Sequence, residues 1–466
     1  MLFVLFIISI SCIEDDFTTS SNDKLTFSTD TIAFDTIFTE LATPATKFMV
    51  FNKNKKMIKI SSIKMNGSSK AKFFLNVDGI KGEEFKDVEI RGKDSIFVYV
   101  QAHIDLNNDN NPLKIEDKIE FLTNGNLQEI VVNAWGQDVT RLRNQKYTSD
   151  AVLTAEKPYV IFDTLYVAEN ATLTMEPGTR LYFHDKGAMQ IDGTLKAVGS
   201  KDKFIHLRGD RIDKVVADID FDIMSGQWNG IRFGENSYNN EIHYMYMRGS
   251  TNGITLDSCN VEQPKLHIFN SILHNSSNNV LTGNYCNISA EGTEFSDCKN
   301  SIVALVGGKH RFVNCTFANY YLFSAIFGSI VNLDYVIPEQ MQELPLMNAK
   351  FDNCIIYGNS SDINIGDLTG SQVYFRSSLF KSKGNNDNNF IDCVWASDPL
   401  FYTVREDYIF DFRLKNESPA INTGNPEYCP EHARTDLLGI PRVREDGGID
   451  IGAYTWVEAR EEEKQQ

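Results

Sequence analysis

Arg311, Lys350 and Asp352 are the residues of this 466-residue chain whose types and placing best suit acid–base chemistry. Arg311 and Lys350 stand at equivalent places in successive repeats, and Asp352 lies two residues beyond Lys350. A cation beside a uronate carboxylate can neutralise it while a neighbouring base takes the α-proton, which is the chemistry of a lyase. Hydrolysis of a glycosidic bond needs instead two carboxylates about 5–9 Å apart. Glu291 and Asp352 share a column, but another coil is expected to separate them. The two outward columns read His267, Ser289, Arg311, Lys350, Tyr374 and Phe269, Glu291, Val313, Asp352, Arg376, a mixture that also suits a plain solvated strand face, and that plainer reading is preferred.

Two further groupings have ligand chemistry. Asp105, Asn107, Asp109, Asn111 and Glu116 place oxygen side chains at calcium-loop spacing. Asn110 stands where the turn needs Gly and Pro112 interrupts the loop, so a solvated interstrand loop is expected. Seven cysteines follow Cys12, an odd number that cannot all pair, and no CxxC occurs. Buried thiols acting as small apolar side chains are expected, with no metal and no cofactor site.

The elements that must position these residues repeat. With Leu273 as column zero, Phe295 and Phe317 follow at intervals of 22, Ile356 after 39 and Phe380 after 24, and Met247 lies 26 residues before it. Five residues before each stand Ile242, Ile268, Ala290, Phe312, Phe351 and Phe375; seven before stand Leu266, Ile288, His310, Ala349 and Val373. Met245, Ser271, Thr293, Cys315, Cys354 and Ser378 occupy the column two before zero. The first two columns share one parity and the last two the other, so the chain must bend between them for all to face inward. Asn270, Gly292, Asn314, Asn353 and Ser377 occupy that bend, where Asn tolerates a left-handed backbone. A period of about 22 residues without an amphipathic helix predicts a right-handed parallel β-helix. Val167 and Met189, Leu173 and Leu195, and Phe183 and Ile205 extend the 22-residue period upstream to about Tyr159. Insertions at Arg211–Gly226 and Tyr320–Leu346 break it.

Residues 25–140 alternate over longer strands, Thr46–Phe51, Met57–Met65, Phe73–Val77, Ser95–Ile104, Lys118–Leu122 and Glu129–Trp135, which predicts an antiparallel β-sandwich. The stretches Phe48–Lys53 and Ile58–Ile63 and the closing Val131–Gly136 resemble the immunoglobulin-like modules that precede enzymatic or binding domains in bacterial surface proteins. A polar linker, Asp138–Asp150, is expected to follow.

Leu2–Ile10 is an apolar run too short to span a bilayer, ending at Ser11-Cys12 and followed by Glu14-Asp15-Asp16. It resembles the lipobox of bacterial lipoproteins, although Ser9 replaces the usual Leu and no Lys or Arg precedes the run. The resemblance implies cleavage before Cys12 and acylation there, with two or more chains giving stable anchoring. The acidic residues after Cys12 resemble the signal that sends such lipoproteins to the outer face of some Gram-negative outer membranes. Asp30-Thr31-Ile32, Asp35-Thr36-Ile37, Asp94-Ser95-Ile96 and Asp163-Thr164-Leu165 resemble an O-glycosylation signal of gut-type Gram-negative bacteria, and strand-edge turns explain them equally well.

Ser418–Gly424, Asp436–Arg442 and Gly448–Tyr454 closely resemble the closing motifs of bacterial right-handed β-helix surface proteins. They are expected to cap an exposed solenoid end, with Asp436 and Asp450 bonding backbone turns. Right-handed β-helices include polysaccharide lyases and glycoside hydrolases, whose sites cross outward strand columns. The expected organisation is a signal peptide at 1–12, a tether at 13–24, a β-sandwich at 25–140, a β-helix at 150–415 and a cap and tail at 416–466. A formal charge of −18 argues against nucleic acid or an anionic lipid face as partner. The expected function is glycan binding or scaffolding on the outer membrane, at the cell surface, held by lipid at Cys12. A polysaccharide lyase or hydrolase, and a purely structural or adhesive protein, are the alternatives.

Overall fold

The structure is a computed structural model that describes residues 16–41, 43–67, 72–216, 219–334, 347–366 and 369–458. Cys12 and the apolar run before it lie outside them, as does 335–346 of the second insertion. The described residues form strands and short 3-10 turns, without an α-helix. None of their helical segments is long and apolar enough to cross a membrane. Two compact units result, Met1–Val139 and Thr140–Gln466.

In the first unit two five-stranded sheets enclose one core. Alternation builds it: Ser95–His103 buries Ile96, Val98, Val100 and Ala102 and turns the intervening side chains outward. Thr31–Phe38 pairs in parallel with Asn126–Gln137, and an isolated bridge joins Phe17 to Met57 in parallel, both departures from the antiparallel expectation. Glu84–Ile90 is an additional edge strand. Its charged residues hide its period, and they also protect an edge from pairing with another chain. The loop from Asp105 to Asn111 is an interstrand connection: Asp109 accepts the Asn111 amide at 2.9 Å, and Asn107 bonds Gly136 O at 2.8 Å.

The second unit is a parallel β-solenoid with three strands per coil. One coil runs through Leu266–Phe269, Ile272–Ser276 and Leu281–Asn284, and each strand stacks on its counterpart in Asn287–Glu291, Glu294–Cys298 and Val303–Val306. Column zero is a continuous ladder in which Met247, Leu273, Phe295, Phe317, Ile356 and Phe380 pair in turn. The column five residues earlier is another, from Ile242 to Phe375. Stacked rings fill it: Phe312, Phe351 and Phe375 lie with centroids 4.9 and 4.7 Å apart, nearly parallel. Each such pair adds roughly 0.5–1.5 kcal/mol beyond its buried area. Asn270, Gly292, Asn314, Asn353 and Ser377 all have positive φ, between 43° and 61°, so a left-handed residue turns every one of these coils. Cys315 and Cys354 are buried free thiols bonded to backbone carbonyls.

Upstream the register differs from the 22-residue expectation. Leu173 does pair with Leu195, but Met189 pairs with Leu165 and not Val167, and Phe183 pairs with Gly209 and not Ile205. A bulge between Phe162 and Thr164 shifts the ladder, and Arg180–Ile191 runs unbroken across two faces. The expected linker is not free chain from Thr140 on: Thr140–Arg143 and Lys146–Tyr147 pair with Tyr159–Val167 and form the first rungs.

The C-terminal motifs do not close the solenoid end. They lie along its side, over the corner ladder. Asn270 donates to Thr435 O at 3.2 Å, Asn314 to Asp450 O at 3.0 Å and Asn353 to Asn425 O at 2.9 Å. The physical reason is that a left-handed Asn corner leaves its amide free to bond a second chain segment. Fully buried Arg442 reaches Gly452 O at 3.3 Å, Ala453 O at 2.9 Å and Asn270 Oδ1 at 3.4 Å. A Cβ on Gly292 would come within 2.1 Å of Asn270 Oδ1 and 2.4 Å of the Arg442 guanidinium, which is why Asn is interrupted there. Asp436 accepts three backbone amides, and Asp450 accepts two and pairs with Arg444. The underside of the segment shares a second core with the solenoid, including Ala318, Ile355, Leu379, Phe412, Ile451 and Tyr454.

Candidate functional site

Arg311 and Lys350 are adjacent on neighbouring strands, and Asp352 lies across from Val313. The fold therefore brings the three together, but not as an open acid–base group. Asp352 is fully buried and held by both ends of the Arg376 guanidinium, at 2.6 and 2.7 Å. Arg311 donates to Tyr428 O at 3.0 Å, and the Tyr428 ring lies 4.0 Å from Arg376. Together they clamp the C-terminal segment onto the sheet. Val313 stands between Glu291 and Asp352 in the ladder, so a full strand separates those carboxylates.

The ionisable residues that face a cleft lie on another sheet. Tyr246, Ile272 and Glu294 form one outward column over three coils, and Arg248, His274 and Ser296 form the next. The docked segment supplies a wall: Tyr408, Phe410, Asp411, Arg413, Leu437, Leu438 and Tyr454. The cleft holds about 340 Å³, at the lower end of ligand sites. A larger, more open depression of about 590 Å³ is lined by Ile326–Ser329, Asn359–Asp362, Lys381 and Ser382. Its charged groups are engaged locally, Lys381 with Gly358 O and Asp362 with the Ser382 amide. The smaller cleft gathers more ionisable and aromatic side chains.

At its floor a buried hydrogen-bonded chain joins His274, Ser296, Glu294 and Tyr454. The Ser296 hydroxyl donates to Glu294 Oε1 at 2.6 Å and contacts His274 Nδ1 at 2.9 Å, while the Tyr454 hydroxyl donates to Glu294 Oε2. Burial drives the Glu294 carboxyl from 4.5 up to about 7, against the pull of its two hydroxyl partners. Burial, then the Arg248 charge, holds His274 well below the usual imidazole range, so it is neutral. Asp297, buried behind it, is pushed well above the usual carboxylate range. Ser296, His274 and Asp297 do not make a hydrolytic triad, because both contacts converge on Nδ1 of His274, the Asp297 oxygen at 3.6 Å. At one side Asp222 bridges Arg208 and Arg248 at 2.8 and 3.1 Å, and at the other Arg413 grips Asp411. Fixed guanidinium groups, tyrosine rings and one carboxyl that titrates near neutrality thus share a single concavity.

Sequence reading missed this cleft. Its floor lies on the strand after the corner, whose outward residues were not weighed, and its wall arrives from more than a hundred residues away. A second grouping, His267, Glu291 and His432, has metal-ligand composition and stands on the sheet before the corner. No short spacing announces it.

No protein-family model and no curated protein matches the chain. Among solved structures it has a likeness to a family 123 glycoside hydrolase from Clostridium perfringens, studied for glycolipid glycan hydrolysis. The identity is 9%, the match covers 26% of each chain, and the TM-score is 0.18. A likeness of that extent carries no argument.

Proposed function

We propose that the chain is a lipid-anchored cell-surface protein of the outer membrane whose solenoid binds glycans through the cleft between the Tyr246–Glu294 columns and the docked C-terminal segment. The observation that carries the reading is the lining: Tyr246, Tyr408 and Phe410 bring aromatic rings to it, Tyr408 exposed, and Arg248 and Arg413 are pre-oriented by carboxylates. Sugar rings present axial C–H faces to aromatics and hydroxyl or carboxylate groups to guanidinium forks. Residues 16–466 titrated calorimetrically with neutral and acidic oligosaccharides should bind at least one class. Tyr408→Ala, at an exposed position, should lower that affinity about tenfold, or 1.4 kcal/mol. Absence of binding across the panel would leave the structural or adhesive alternative.

One observation favours a hydrolytic variant of this reading. Glu294, protonated near neutral pH in the same cleft as Asp411, has the character of a general acid. Release of reducing ends that Glu294→Gln abolishes, with binding kept, would establish it. Release of an unsaturated uronate, followed by ultraviolet absorbance, would establish a lyase.

The anchor rests on Ser11-Cys12 and the apolar run before it. Cells fed a clickable palmitate should label the wild-type chain and not Cys12→Ser, which should leave the membrane fraction. Labelling that persists in the variant would refute this part of the reading.

A further inference from the structure

Where the strand Leu266–Phe269 meets the docked C-terminal segment, three side chains of metal-ligand type converge from distant parts of the chain. His267 Nε2 lies 2.5 Å from Glu291 Oε2, and His432 Nε2 lies 3.9 Å from the same oxygen. The three donor atoms all fall within 4.8 Å of one another. His267 and Glu291 come from adjacent strands, and His432 from the turn Glu431–Ala433. The Glu291 side chain is 4% exposed while that of His432 is 59% exposed, so the group is anchored in the wall and open to solvent on one side. Behind it, His243 Nε2 stands 3.3 Å from the other nitrogen of His267.

We propose that His267 Nε2, Glu291 and His432 Nε2 bind a divalent ion of the zinc class, with water in the fourth position. Zinc bonds of about 2.0–2.1 Å in a tetrahedral site place donor atoms roughly 3.3 Å apart. His267 and Glu291 must open slightly from 2.5 Å and His432 must close from 3.9 Å, and the exposed turn that carries His432 can supply that movement. The ion takes the place of the one proton that the hydrogen bond between His267 Nε2 and Glu291 Oε2 requires. With Nε2 ligated, Nδ1–H of His267 points at His243 Nε2, the outer hydrogen bond that fixes the tautomer of a ligating imidazole. Two imidazoles and one carboxylate select zinc-like ions over calcium or magnesium, which want oxygen ligands throughout. This site is separate from the cleft, and its occupant ties the C-terminal segment to the solenoid.

The full chain, stripped with a chelator and dialysed, is titrated with zinc chloride against a chromogenic competitor. One tight equivalent is expected, with a rise in thermal midpoint and no competition from calcium. His432→Ala and the near-isosteric Glu291→Gln should each weaken binding roughly a hundredfold, and His243→Phe roughly tenfold. Cobalt(II) should give a visible absorption band in the wild type that His432→Ala loses. His432→Ala alters only an exposed side chain, so its circular dichroism should match the wild type. No stoichiometric zinc, or an equivalent bound unchanged by both His432→Ala and Glu291→Gln, overturns the proposal and leaves His267 and Glu291 as a hydrogen-bonded pair only.

Discussion

Glu294 carries a carboxyl that burial moves from 4.5 to about 7, so between those values the native protein keeps a proton that the unfolded chain has released. The folded-state value is the higher one, hence the stability this carboxyl contributes is fully present below about pH 4.5 and is lost as pH rises through 7. For a fully buried group the loss is on the order of 3 kcal/mol. Glu294→Gln removes this dependence, and urea unfolding at pH 5 and pH 8 measures it. The wild type should lose more stability between the two than the variant does, and equal losses would sink the assignment. Because Asp297 is raised in the same direction, only the difference between the two proteins reports on Glu294. The carboxylates that stood out in the sequence behave otherwise: Asp352, Asp436 and Asp450 are tied to guanidinium or backbone N–H groups and serve as fasteners.

At the scale of elements, each Asn corner serves both as a turn and as a receptor for another segment. Asn353 has φ 51°, donates to Asn425 O and accepts the Asn425 amide at 2.8 Å. Asn353→Gly keeps the left-handed backbone and loses both bonds, while Asn353→Ala also strains the backbone by roughly 1–2 kcal/mol. Chemical unfolding should therefore rank wild type above Gly and Gly above Ala; an Ala variant as stable as Gly would contradict the double role. Phe351→Ala, in the middle of the ring stack, should cost about 3–5 kcal/mol in the same measurement. The columns were legible because stacking imposes one spacing on residues close in sequence, so Leu273, Phe295 and Phe317 announce themselves. The bulge near Asp163 was not legible, since one extra residue changes the register without changing composition. Nor was the receptor role of Asn270, Asn314 and Asn353, because a bend explains an Asn completely until the partner strand is seen. His432 and the cleft wall depend on that same docking, which is why neither was legible in the sequence.

At the scale of the whole molecule, the placement of the C-terminal segment sets how the second unit is held together. A segment that merely closed the last coil would protect only the rungs near Phe380. Lying instead across the corners from Asn270 to Asn353, it covers Ala318, Ile355 and Leu379 and bonds several coils at once. It also supplies the cleft wall from Tyr408 to Tyr454. Arg442 is the test of this arrangement, since its buried guanidinium joins Asn270 to the carbonyls of Gly452 and Ala453. Arg442→Ala leaves those acceptors buried and unpartnered, at a cost of about 3 kcal/mol. Hydrogen exchange followed by mass spectrometry locates the damage: amides of the segment and of the corners at Asn270, Gly292, Asn314 and Asn353 should lose protection together, and glycan affinity should fall with them. Faster exchange confined to the coils around Phe380 would restore the end-cap reading, because only there would an end cap have been lifted.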